Sequence, residues 1–99
     1  MILVREVFQL KFGKAKEAKA AWKEGAAILQ RHNLPVGRAL TDLVGPYYTF
    51  VLENTHNDLA SFESSMKSNL AMKEFGQWYQ EKFSPLVESG MREIFTIVE

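Results

Sequence analysis

The stretch "LVREVF" at residues 3–8 returns almost unchanged as "GMREIF" at residues 90–95. Both copies are rich in β-branched and aromatic residues and interleave them with charge, the pattern of a half-buried strand. Two such strands in a chain of 99 residues, 46% of them hydrophobic, point to a shared sheet, because a chain of this size builds one core and is too short for two.

The residues between the copies supply the other elements. Residues 2–11 read as the first strand, closed by Gly13. The stretch "KAKEAKAAWKEGAAILQRHN" (residues 14–33) sets Ala15, Ala18, Trp22, Ala26 and Leu29 at helical spacing. It ends at Asn33, which tolerates a left-handed conformation, and Pro35 forbids continuation. Val36 to Val44 reads as a second strand, Gly45-Pro46 as a turn, and "YYTFVLEN" (residues 47–54) as the third strand of a hairpin. Thr55 is the expected N-cap of a second long helix, with Asp58 answering in a variant of the capping box. Leu59, Phe62, Met66 and Leu70 form its apolar stripe. "KEFGQWYQEKF" (residues 73–83) reads as a short helix interrupted at Gly76 and stopped by Ser84-Pro85, and Gly90 releases the last strand, Met91 to Val98.

The order β-α-β-β-α-(α)-β predicts a single α+β domain over residues 1–99 with a ferredoxin-like, four-stranded antiparallel sheet and helices on one face. Right-handed crossovers place the first and second strands parallel, the third between them and the fourth beside the first. The two repeated phrases then lie on neighbouring strands.

Charge and composition remove several function classes. Twelve basic residues balance twelve acidic ones, which leaves no electrostatic reason to expect nucleic acid or an anionic membrane as partner. Cysteine is absent, so no thiolate nucleophile or thiolate metal site is available. "MILVREVFQL" reads directly as a strand, without the features of a signal peptide, and no apolar run approaches the ~20 residues of a membrane span; the cytoplasm is the expected location. His32 and His56 fall in the last and first turns of helices with no further ligands at metal spacing, so neither a metal nor a cofactor is expected.

Alternation sorts Val4, Glu6, Phe8 and Leu10 onto one face of the first strand and Leu3, Arg5, Val7 and Gln9 onto the other. The Phe-bearing face, together with Tyr48, Phe50 and Leu52, is expected to meet the helices. For the last strand the same rule places Met91, Glu93, Phe95 and Ile97 toward the helices and Arg92, Ile94, Thr96 and Val98 away from them. Because like charges directly opposite are unfavourable, the expected register sets Glu6 across from Phe95 and Phe8 across from Glu93. The uncovered face keeps Leu3, Val7, Leu40, Val51, Ile94 and Val98 mixed with Arg5, Arg92 and Asp42. An apolar face rimmed by charge predicts a homodimer through the open sheet.

"REVFQLKFGKAKEAKAAW" (residues 5–22) resembles the opening of NIPSNAP-like members of the dimeric α+β barrel superfamily, in which a strand with a charged residue and an aromatic leads through a Gly-Lys turn into a helix. "FGQWYQEKFSPLVESGMREI" (residues 75–94) is similar to that family's C-terminal segment. The resemblance implies two sheets packed between subunits into a barrel, with a cavity in each subunit between sheet and helices. The superfamily it resembles hosts monooxygenases, haem-degrading enzymes, dehalogenase-like and binding proteins, and many members of unknown role. The haem-degrading branch's strand Asn and helix His are replaced here by Glu6 and by Phe62, Ser65 and Met66, so the resemblance implies no haem.

Within such a cavity Glu6 and Glu93 are the candidate acid-base pair, since two carboxylates on adjacent strands against an apolar layer share a proton readily. The blander reading is that each pairs with Arg or Lys, or reaches solvent at the cavity mouth. Trp22, Phe50, Phe62, Met66, Trp78 and Tyr79 are the candidate ligand-binding residues, against the common alternative that such side chains simply fill the core. The expected occupant is a small apolar or aromatic molecule.

Overall fold

The computed structural model describes residues 1–99. Its elements are β1 (Ile2–Leu10), α1 (Ala15–Arg31), β2 (Arg38–Thr41), β3 (Thr49–His56), α2 (Leu59–Ala71), α3 (Lys73–Trp78) and β4 (Val87–Thr96). A π-helical turn over Tyr79–Phe83 and a 3₁₀ turn over Ser84–Leu86 join α3 to β4. The strands lie in the order β2-β3-β1-β4 with every neighbouring pair antiparallel, which is the ferredoxin-like α+β arrangement. No helix is long and apolar enough to cross a membrane.

The helix ends follow their local chemistry. Asn33 adopts φ 55° just past α1, the left-handed conformation that ends the helix as its sequence suggests. The cap of α2 lies three residues later than expected. Thr55 and His56 stay in β3, paired with Leu3 and Ile2, and Asp58 itself is the N-cap, its Oδ1 accepting the Ser61 N–H at 2.8 Å. That bond holds the Asp58 carboxyl below the usual aspartate range.

One core joins α1, α3 and the helix-side face of β1 and β3 through Leu10, Ala18, Ile28, Leu29, Phe50, Phe75, Trp78 and Phe83. Phe83 is its centre, fully enclosed, edge-on to Phe8 at 5.2 Å and to Phe50 at 5.5 Å and stacked on Trp78 at 5.6 Å. The π-helical turn accommodates one residue more than an α-helical turn, and it brings Tyr79 and Phe83 together as a stacked pair. Trp78 donates its indole N–H to the Ala21 carbonyl at 2.7 Å. This anchors it against α1 at Gly25, where a Cβ would stand 2.4 Å from the ring. Gly25→Ala should therefore destabilise the fold by about 1 kcal/mol, the overpacking of a pinned ring outweighing the helix-propensity gain. Chemical denaturation would check this, and a more stable variant would contradict it.

β4 departs from its expected register. It starts at Val87, not Met91, and Gly90 sits inside it opposite Phe8, where a Cβ would come within 3.2 Å of the Phe8 ring. Beyond Gly90 an irregularity lets Gln9 face Ser89 while Leu10 faces Val87. Glu6 is thus opposite Arg92, and Arg5 opposite Glu93, in place of the expected pairing of each carboxylate with a phenylalanine. Arg92 and Ile94 face the helices with Glu6 and Val4; Glu93, Met91 and Phe95 lie on the open face with Arg5, Val7 and Leu3. The physical reason is that an antiparallel pair reads the two Arg-Glu phrases in opposite directions, so each arginine meets the other strand's glutamate on its own face.

The open face is ordered in rows. Leu40, Val51, Val7 and Met91 form an apolar row across all four strands, and the adjacent row is Arg38, Glu53, Arg5 and Glu93. In that row charge alternates. Glu53 accepts from Arg38 Nε and Nη2 at 2.9 and 2.7 Å, lies 2.9 Å from Arg5 Nε, and Arg5 Nη1 reaches Glu93 at 3.1 Å.

Candidate functional site

The second helix does not press its whole apolar stripe onto the sheet. Phe62 is its buried residue, Met66 is half-buried, and Leu59 and Leu70 remain exposed. The space beneath it is a cavity of about 430 Å³. Its floor is Glu6 and Phe8 of β1, Leu52, Asn54 and His56 of β3, and Arg92 of β4; Trp22 and Leu29 of α1 form one wall, Phe62 and Met66 the roof, and Phe75, Trp78, Tyr79 and Phe83 the far end.

Five of the six proposed ligand-binding side chains, Trp22, Phe62, Met66, Trp78 and Tyr79, meet here. Phe50 does not. It is buried in the aromatic cluster around Phe83, because its position on β3 faces the point where α3 and the π-helical turn close down on the sheet. Glu6 is at the cavity floor, and Glu93 is on the opposite side of the sheet beside Arg5. The two carboxylates therefore share no site, and the acid-base pair is corrected to a single carboxylate facing a guanidinium.

Alternation sets Arg92 on the face away from the helices, whereas the structure places it at the cavity. Its Nε donates to Glu6 Oε1 at 2.5 Å, its Nη2 lies 3.2 Å from the Met66 sulfur, and its guanidinium carbon is 5.0 Å above the Phe62 ring centroid. The aromatic face and the carboxylate fix the plane of the guanidinium. His56 meets the same Phe62 ring edge-on at 5.3 Å. The signal available in the sequence was the antiparallel complementarity of "RE" with "RE". Asn54 and His56, also at the floor, follow from the helix-side phase of β3 once its pairing with β1 is known. No group of three His, Cys, Asp or Glu side chains is placed to hold a metal ion. The site is chemically an aromatic box with one ion pair in its floor, able to enclose a ring and to address one polar substituent.

No protein-family model and no curated protein matches the chain. Solved structures do. A NIPSNAP family protein from Agrobacterium tumefaciens str. C58 superposes with a TM-score of 0.88 at 16% identity, covering 99% of this chain and 86% of that one. An uncharacterised NIPSNAP-like domain protein from Burkholderia xenovorans gives 0.83 at 22% identity over 98% of this chain and 84% of that one. SnoaB, a cofactor-independent oxygenase from Streptomyces nogalater, gives 0.68 at 17% identity over 99% and 93%. At these identities the likeness is one of fold.

Proposed function

We propose that this chain, built on the fold it shares with NIPSNAP proteins and with a cofactor-independent oxygenase, is a cytoplasmic homodimeric α+β barrel protein that binds a small apolar or aromatic molecule between sheet and helices. The observation that carries this reading is the 430 Å³ cavity, lined by Trp22, Phe62, Met66, Trp78 and Tyr79 and reaching Glu6. Its volume lies in the range of ligand sites, and its lining is apolar with a few convergent polar groups. A non-catalytic interaction module with a closed core would not need that space. Glu6 is the one carboxylate at the floor, and cofactor-independent monooxygenase-like or isomerase-like proton abstraction is the chemistry it would serve.

The test is a thermal-shift screen with small aromatic compounds. A true ligand at a hundred times its Kd stabilises by about 2.7 kcal/mol, a rise of roughly 10 °C for a domain of this size, and Met66→Trp, which fills the cavity, should abolish the rise. A panel that leaves the melting temperature unchanged returns the protein to the interaction-module reading.

The dimer rests on the open face, where Val51 is buried and its row neighbours Leu40, Val7 and Met91 keep exposed apolar surface. The neighbouring row of alternating Arg and Glu is self-complementary under a two-fold axis. Light scattering behind size exclusion should report a dimer at micromolar concentration. Val7→Lys should convert it to monomer, because the new ammonium would be buried without a partner. A wild-type monomer throughout that range would remove the barrel.

A further inference from the structure

Arg92 is held in place but not used up. A guanidinium carries five N–H donors and no acceptor. Nε is engaged by Glu6, and Nη2 has only the Met66 thioether, a weak acceptor, at 3.2 Å. Nη1 and the second hydrogen of Nη2 have no acceptor in the protein. Because Glu6 takes the guanidinium through Nε and Phe62 supports its face at 5.0 Å, the Nη1–Nη2 edge remains open, and such an edge can grip a carboxylate with two parallel hydrogen bonds.

The surroundings favour an anion at that edge. Arg92 is the only Lys or Arg among the cavity residues, and 41% of its side chain is accessible, so an incoming ligand reaches it without opening the core. The rest of the cavity offers ring surfaces, among them Trp22, Trp78 and Tyr79.

We propose that the molecule taken up by this cavity is an aromatic acid, its ring held among Trp22, Trp78 and Tyr79 and its carboxylate received by the free Nη1–Nη2 edge of Arg92. Glu6 in addition orients the guanidinium and, by its own charge, moderates the affinity for anions. This rests on the ligand-binding reading above and narrows it to one chemical class.

The experiment is a titration followed by the fluorescence of Trp22 and Trp78 with 2-naphthoate and 2-naphthamide, which match in shape and differ in charge. The wild-type protein should bind the acid about tenfold or more tightly than the amide, the margin of a charge-assisted over a neutral hydrogen bond. Arg92→Gln should bring the acid down to the affinity of the amide and leave the amide within about twofold of wild type, while Glu6→Gln should tighten the acid by removing the competing carboxylate. Equal wild-type affinities with both compounds bound would overturn the anion seat and leave the cavity as a neutral-ligand site. An advantage of the acid that survives in Arg92→Gln would place the anion elsewhere and also overturn it. Failure of both compounds to bind, together with a silent thermal-shift panel, would end the cavity reading and this one with it. If Arg92→Gln does not fold, the two wild-type titrations and Glu6→Gln decide the outcome alone.

Discussion

Phe83→Ala is expected to lower the unfolding free energy by about 3–5 kcal/mol, the cost of emptying a fully enclosed aromatic position. Phe83 has no exposed surface, and three rings, Phe8, Phe50 and Trp78, rest on it from the sheet and from α3. Those rings belong to a rigid cluster anchored by the indole bond to Ala21, so collapse into the vacancy is limited and the upper part of the range applies. The melting temperature should fall by roughly 15 °C or more, and Phe83→Leu, which keeps most of the volume, should recover over half of the loss. A fall of only a few degrees would mean that the turn over Tyr79–Phe83 does not close the core.

Glu53→Gln is the second large effect, and it carries a pH signature. The carboxylate is 9% exposed and receives Arg38 and Arg5 together, so removing its charge weakens several charge-assisted hydrogen bonds at once, at a cost of about 1.5–3 kcal/mol near neutral pH. The hydrogen bonds from Arg38, reinforced by the charge of Arg38 and Arg5, hold the Glu53 carboxyl below its ordinary 4.5 in spite of burial. A folded pKa below the unfolded one adds stability that is fully present above the unfolded value and fades as pH falls through the folded value. The gap between wild type and Glu53→Gln should therefore be constant above about pH 6 and shrink steadily below pH 4.5. Urea titrations across that range would show it, and a gap independent of pH would mean the arginines do not act through charge.

Much of this architecture was readable from residue order, and the reason is local. The first strand's alternation fixed its two faces, Ala-rich α1 declared its length, and Asn33 marked its end, because each of these depends on side chains a few residues apart. The last strand resisted the same treatment. Apolar residues occur on both of its faces, Met91 and Phe95 on one and Ile94 on the other, so alternation alone cannot say which side is inward; pairing with β1 decides it, and that is a long-range fact. For this one reason alternation sets Glu93 inward and Arg92 outward, the reverse of their places in the sheet. Periodicity reports that Phe50 faces the helices but not where a helix closes over it, and that closure sets it in the core and not in the cavity. The π-helical turn has no marker in the sequence beyond its aromatic residues, since its extra residue is accommodated by tertiary packing.

The reciprocal charges joining β1 to β4 have a consequence for how the chain finds its alignment. These strands are separated by nearly the whole fold, and no tight turn dictates which residue meets which. Sliding β4 by one residue in one direction would set Arg5 against Arg92; sliding it in the other would set Glu6 against Glu93. Either slip also sends each side chain of β4 to the wrong side of the sheet, and like charges face to face resist it further. The repeated phrase thus works as a keyed joint that rejects its two nearest misalignments. High salt, which screens exposed charges, would loosen the key, and a slipped joint would deliver Glu93 and not Arg92 to the floor of the cavity.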